Sequence, residues 1–318
     1  MTDQSTFLDI LKSFLVISRA KIQLGTPPHP LLGLILGASA ISQFLSPISL
    51  IYIVLYFLLI TFACNINCLY DVRIDEKYKK HMSTAVKTLG KNTVKTIILI
   101  EAMAILVIIS YLIFTGYYIT SLLSLSGLVF GYVYSAEPVR VKGRGILSPF
   151  PVLIGLYTLP VLGGWFIFQS TLTLYIVVFC IGYALLNEGI TLVNTCEDYK
   201  EDMEEGIKTW AHIFSMEKTM RVAFIFTTLG GLLAIIGVIL KPVQIGWTFY
   251  NTYSSILFVG MGIINTFVII KIGGDIYEAG SEDDLQISCK KAAKNMPKWF
   301  ISSRYPLLLM ALLLLIGI

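Results

Sequence analysis

The sequence predicts an all-α membrane protein: nine transmembrane helices in one domain spanning residues 1–318. Three observations carry that reading. The 318-residue chain is 56% hydrophobic and only 14% charged, with a mean hydropathy of +0.77, outside the range of an ordinary soluble domain. Its apolar residues gather into runs long enough, or nearly so, to cross a bilayer. Every Lys and Arg except Lys241 lies before the first run or at alternate loops, the asymmetry expected when positive charge stays cytoplasmic.

The elements follow in order. Residues 1–25 lack the basic start of a signal peptide, and Asp9 and Lys12 interrupt their apolar stretch, so they predict an amphipathic lead-in helix. Apolar spans are expected at 29–46, 48–69, 94–115, 117–134, 147–168, 172–196, 220–240, 253–272 and 304–318. Charge placement puts the N-terminus in the cytoplasm and the C-terminus outside, as an integral protein of a prokaryotic cell membrane. The long, ionisable loops then all face the cytoplasm, where function is expected. The longest of them, between Gly273 and Arg304, predicts an interfacial helix ending near Pro297. Gly33 and Gly37, four apart in the first span, predict close helix packing. Five scattered cysteines without a C-x-x-C pair predict neither zinc nor disulfides, and a net charge of +4 is too small to argue for nucleic acid.

Two segments share one polar code where an apolar run ends. Asn67, Asp71 and Asp75 close the second span, and Asn194, Asp198 and Asp202 close the sixth; each reads N-x3-D-x3-D. On a helix a spacing of four advances only about 40°, so each segment presents one amide and two carboxylates as a stripe. Oxygen ligands of this kind suit Mg²⁺, which keeps waters and takes substrate phosphates. The stripes align without a gap on the second span of successive four-span units. That predicts a pseudo-repeat, 29–134 and 147–272, with 304–318 appended. A loop after span four carries Tyr134, Arg140, Lys142 and Arg144 with two glycines, cations suited to phosphate oxygens. The second stripe extends into the bilayer through Thr191 and Asn187. Glu101 and Glu188 are isolated intramembrane acids, either acceptor-binding or hydrogen-bonded to a neighbouring helix.

These motifs resemble the UbiA superfamily of intramembrane prenyltransferases: N-x3-D-x3-D after span two, Y-S-x-x-P-x-R-x-K after span four, and D-Y-x-x-D-x-x-x-G-I-K-T from Asp198 to Thr209. The resemblance implies nine helices around a central cavity capped by cytoplasmic loops. It also implies transfer of an isoprenyl chain from a prenyl diphosphate to an aromatic quinone precursor or a lipid acceptor, with Mg²⁺ as cofactor. Carried over by position, Asn67, Asp71, Asp75, Asn194, Asp198 and Asp202 resemble the metal ligands, and Arg140, Lys142 and Arg144 the diphosphate cradle. Tyr134, Lys142, Asp198 and Asp202 resemble the catalytic group. Two departures stand out. An arginine usual after the first stripe is missing from Glu76–Lys87, where Lys79, Lys80 or Lys87 would substitute, and seven residues separate Tyr134 from Lys142 where many members have Y-x3-K.

An allylic diphosphate ionises once its leaving group is neutralised, so the expected transfer is dissociative. Tyr70, Tyr132 and Tyr134 are candidate cation stabilisers. A secondary transporter would also have many spans and intramembrane carboxylates, but its site belongs near the midplane rather than at one face.

Overall fold

The computed structural model describes residues 6–245 and 252–317, and their regular elements are helices, with a single isolated backbone bridge between Arg144 and Lys208. Eight helices among these residues are long and apolar enough to cross a membrane. We label the principal helices α1 (Phe7–Ile17), α2 (Pro28–Gly37), α3 (Pro47–Tyr78), α4 (Lys80–Leu89), α5 (Lys91–Phe114), α6 (Tyr118–Ser135) and α7 (Leu159–Trp165). They continue as α8 (Leu174–Glu197), α9 (Tyr199–Glu204), α10 (Trp210–Phe214), α11 (Met216–Ile245), α12 (Thr252–Ala279), α13 (Leu285–Ala293) and α14 (Met296–Gly317). The last residue of the expected 304–318 span and residues 246–251 lie outside the described residues.

The lead-in helix forms as expected. Thr6 and Asp9 make a reciprocal capping box at the start of α1, which satisfies donors the helix leaves open. Phe7, Leu8, Ile10 and Leu11 stay exposed, as suits an interfacial helix.

The first expected span departs from prediction. Instead of continuing through 29–46, α2 stops after ten residues, about 15 Å and half a bilayer core. The chain turns extended at Ala38 and Ala40 and re-forms a single turn at Ile41–Phe44. The half-length helix is held from both sides. A Cβ at Gly33 would fall on the backbone carbonyl of Val161 in α7, and one at Gly37 would lie 2.9 Å from the Trp165 carbonyl. Only glycine permits that approach. Lys241 of α11, the basic residue outside the cytoplasmic set, is 3% exposed and donates to the carbonyls of Ile35 and Ala38 at 3.3 and 3.2 Å. A cation at a helix C-terminus satisfies open carbonyls and the helix dipole together.

The fifth span is irregular as well. Pro151–Thr158 is π-helical before α7 begins, and Pro149, Pro151 and Pro160 each remove a backbone donor that an α-helix would need. The last span starts eight residues earlier than predicted. Pro297 opens α14 instead of ending the interfacial helix, because proline is tolerated in a first turn. The interfacial helix itself is α13, whose Gln286 donates to the Glu197 carbonyl of α8 at 3.2 Å.

The core centres on α8: 72% of its apolar window is buried, against 22–44% for the other spans. Large apolar side chains such as Leu99, Met103, Val107, Ile263 and Phe267 point outward, where lipid replaces water as the solvent. The protein is an integral membrane protein.

Candidate active site

One face of α3 runs from Tyr52 and Tyr56 through Asn67 and Asp71 to Asp75 along the wall of a cavity of about 430 Å³. The opposite wall is α8 and its extension, which contribute Thr191, Asn194, Asp198 and Asp202. Both stripes therefore open on the same cavity at the same end of the bundle. The first is continuous, because α3 persists for 32 residues through Tyr78. The second crosses a junction: α8 ends at Glu197, Asp198 leaves the helix, and α9 resumes at Tyr199. The Asp202 amide still donates to the Asp198 carbonyl at 2.8 Å, which keeps the two acids in helical register.

Cations from other elements reach across. Arg140 donates to Asp71 Oδ1 at 3.0 Å, and the Lys142 ammonium pairs with Oδ2. Asn67 donates to that same Oδ2 at 2.8 Å and to Ser135 Oγ at 2.9 Å. Lys79, just beyond α3, bridges to Asp198 Oδ2 at 3.1 Å, where Asn194 also donates at 3.1 Å. Burial pulls the Lys142 ammonium below its ordinary value, although Asp71 pulls the other way. Burial also opposes the charge of Lys79, yet Asp198 holds it above the ordinary value. Asp202 is pushed up to about 7, by burial first and by the Asp198 charge second. Neither Asp75 nor Asp202 takes part in an ion pair among the described residues.

The donor set fits a hard divalent cation. It consists of carboxylate and amide oxygens, two of the acids lack a cationic partner, and buried acids without one favour an arriving cation. Among the described residues no three His, Cys, Asp or Glu side chains cluster tightly enough to hold an ion by themselves.

Not every expected residue arrives. Arg144 turns back on its own loop, donating to the Val139 and Pro138 carbonyls at 2.6 Å each, outside the cavity wall. Its backbone bridge to Lys208 ties the two motif loops together. Lys80 opens α4 with an exposed side chain, since α3 ends one residue before Lys79 and the chain turns there. Lys87 pairs with Glu76 at 3.0 Å on the surface. Tyr134 lines the cavity; Tyr70 and Tyr132 do not, and the other cavity aromatics are Tyr52, Tyr56, Tyr78, Phe130, Tyr157 and Phe300. Glu101 accepts from Asn65 of α3 at 2.9 and 3.1 Å, the structural alternative. Glu188 is buried beside the cavity with Oε2 unpartnered.

Sequence reasoning missed Arg19. It sits between α1 and α2, lines the cavity, and donates to Asn67 Oδ1 at 2.5 Å. No spacing marks it, because its position depends on where the lead-in helix docks.

Profile comparison bears on the same residues. The profile described as the UbiA prenyltransferase family matches residues 30–272, well over half of the chain. The chain belongs to the UbiA prenyltransferase family. Chloroplastic chlorophyll synthases from Avena sativa and Arabidopsis thaliana are 33% and 30% identical over 95 residues, 30% of this chain. That stretch spans only about a quarter of their length. Among solved structures, a digeranylgeranylglyceryl phosphate synthase aligns over 95% of this chain and 98% of its own, with 17% identity and a TM-score of 0.65. A UbiA homologue from Archaeoglobus fulgidus bound to GPP and Mg²⁺ aligns over 93% and 99%, with 15% identity and a TM-score of 0.63. At such identities the likeness shows that the UbiA fold is shared.

Proposed function

We propose that this UbiA protein transfers an isoprenyl chain from a prenyl diphosphate, in a Mg²⁺-dependent reaction, to a small aromatic or lipid acceptor at the membrane. The observation that carries the reading is the meeting of both acidic stripes on one cavity, with Lys79, Lys142 and Arg140 laid across them. That arrangement offers both an anchorage for divalent cations and a ring of positive charge for a diphosphate.

In this reading Asn67, Asp71, Asp75, Asn194, Asp198 and Asp202 hold Mg²⁺ on the diphosphate. The metal supplies charge neutralisation of the leaving group. Lys79, Lys142, Arg140 and Arg19 pair with diphosphate oxygens and stabilise the charge that develops as the allylic C1–O bond breaks. Tyr134 presents its ring to the carbocation. The apolar part of the cavity lining, which includes Leu59, Ala63, Leu123, Gly127, Phe130 and Leu156, takes the prenyl chain and excludes water that would quench the cation. A carboxylate of the second stripe accepts the acceptor's proton. The distribution of Lys and Arg supports a cytoplasmic mouth with the N-terminus on the same side. The matched positions of the two stripes support a duplicated four-helix unit.

The test uses purified protein, Mg²⁺, radiolabelled geranylgeranyl diphosphate and a membrane-lipid extract. Wild type should form a labelled product. Asp71→Ala and Asp198→Ala should each lose at least a thousandfold in rate while remaining folded. Full turnover in both variants would overturn the site assignment.

A further inference from the structure

Three stretches of the cavity lining continue well below the acidic stripes. On α3 the lining face descends in helical steps from Asp71 through Asn67, Cys64, Ile60 and Tyr56 to Tyr52. On α6 it runs from Tyr134 down to Leu123 and Ser124, and on the fifth span from Pro151 to Leu159 and Pro160. By contrast, α8 and α14 line the cavity no deeper than Thr191 and Phe300. The deepest lining residues therefore belong to α3, α6 and α7.

Those three helices are stitched together at that depth. Tyr52 is 3% exposed, and its hydroxyl donates to the Pro160 carbonyl at 2.7 Å. A Cβ at Gly163 would fall on the same hydroxyl, so the glycine makes room for the tip of the ring. Thr120 of α6 donates to the Gly163 carbonyl at 2.9 Å, and Ser124 donates to the Thr120 carbonyl at 2.8 Å. A buried tyrosine whose hydroxyl is spent on a backbone carbonyl has little freedom to swing aside. Its ring is what a molecule descending along α3 meets last. Fifteen residues of α3 separate Asn67 from Tyr52, about 22 Å of helix. An extended isoprene unit advances by four carbon–carbon bonds of about 1.5 Å, or about 5 Å along the chain. With C1 at the level of Asn67, one turn below Asp71, about four units reach the ring.

We propose that Tyr52 is the floor on which the prenyl chain ends, and that it sets the longest donor this protein accepts. The inference rests on the prenyl-transfer reading and names the residue that bounds its donor. Each added isoprene unit buries more apolar surface and tightens binding until the ring is met. The next unit must displace an anchored side chain in a packed bundle, which is unfavourable. Removing the ring frees about one helical turn of depth, about 5 Å and thus room for one more unit. Gly127 of α6 is the opposite lever. It lines the cavity above the floor, and its Cβ would meet only Leu59 Cδ1, at 3.8 Å. A larger side chain there occupies space the donor needs.

The experiment needs no acceptor. Radiolabelled geranylgeranyl diphosphate is bound with Mg²⁺ to the purified protein in lipid nanodiscs, then displaced by unlabelled prenyl diphosphates of two, three, four, five and nine isoprene units. In wild type the inhibition constant should fall from two units to four and rise at least tenfold at five. Tyr52→Ala should bring the five-unit donor to within threefold of the four-unit one. Tyr52→Phe, which keeps the ring, should still exclude five units. Gly127→Leu should weaken the four-unit donor at least tenfold more than the two-unit one. Wild-type protein that binds nine units as tightly as four would overturn the inference, because the chain would then leave the bundle sideways into lipid. A cut-off that Tyr52→Ala does not move, or an equal loss at every length, would overturn it too and leave Tyr52 a packing residue. If Tyr52→Ala fails to fold, the wild-type series and Gly127→Leu still decide. Failure of the labelled donor to bind at all would instead sink the prenyl-transfer reading, and the inference with it.

Discussion

Arg19 adopts a left-handed backbone conformation, φ 51, that a non-glycine residue enters at a cost of order 1 kcal/mol. Its guanidinium is thereby aimed at Asn67, while Nε remains buried without a partner. Strain combined with an unspent donor at a cavity wall indicates a ligand contact completed on binding. Arg19→Gln should therefore raise the donor KM about tenfold or more, the loss of one charge-assisted hydrogen bond at about 1.5–3 kcal/mol, with acceptor KM unchanged; an unaltered donor KM would reduce Arg19 to a tether for Asn67. The acidic stripes were legible in the sequence because their members lie four residues apart and keep helical register, even across the α8–α9 junction. Arg19 was not, because it matters through where the lead-in helix before it lands against α3, and no local spacing records that. Glu101 and Lys241 illustrate the same limit. An intramembrane charge announces that something binds it, but only packing reveals Asn65 for the one and the end of α2 for the other.

At the scale of the element, α2 and the π-helical stretch before α7 explain why span boundaries were the poorest part of the sequence reading. An apolar run does not say whether it crosses the bilayer or stops halfway, and proline-rich runs yield neither a clean helix nor a clean break. The glycines of α2 were more informative than its length. Gly33 faces the Val161 carbonyl, a backbone group that has no rotamer with which to retreat. Gly33→Ala should destabilise the bundle by about 1–3 kcal/mol, the usual cost of overpacking, seen as a lower melting temperature in detergent. Gly260→Ala on α12 is the control: nothing lies within 4 Å of its Cβ, and helix propensity makes it neutral or slightly stabilising. Equal shifts in the two variants would show that α2 is not wedged against α7.

Across the whole molecule, the cavity is closed by pieces distant in sequence: α3, the loop carrying Arg140 and Lys142, and the α8–α9 junction. The present contacts joining them are ion pairs between the stripes and the basic side chains, above all Asp71 with Arg140 and Lys142, and Asp198 with Lys79. Those pairs would exchange for pairs through the diphosphate when donor and metal arrive together. A ligand that binds the folded bundle and not the unfolded chain stabilises it by about 2.7 kcal/mol at a hundredfold excess over Kd. The melting temperature should therefore rise by several degrees with geranylgeranyl diphosphate plus Mg²⁺ and much less with either alone, because neither fills both kinds of site. EDTA should reverse the rise. Asp71→Asn and Asp198→Asn, which keep side-chain shape but remove one negative charge from either wall, should each abolish most of it. If one wall could lose its acid without effect while the other could not, the two stripes would be serving separate ligands, and the shared grip on a single diphosphate would be disproved.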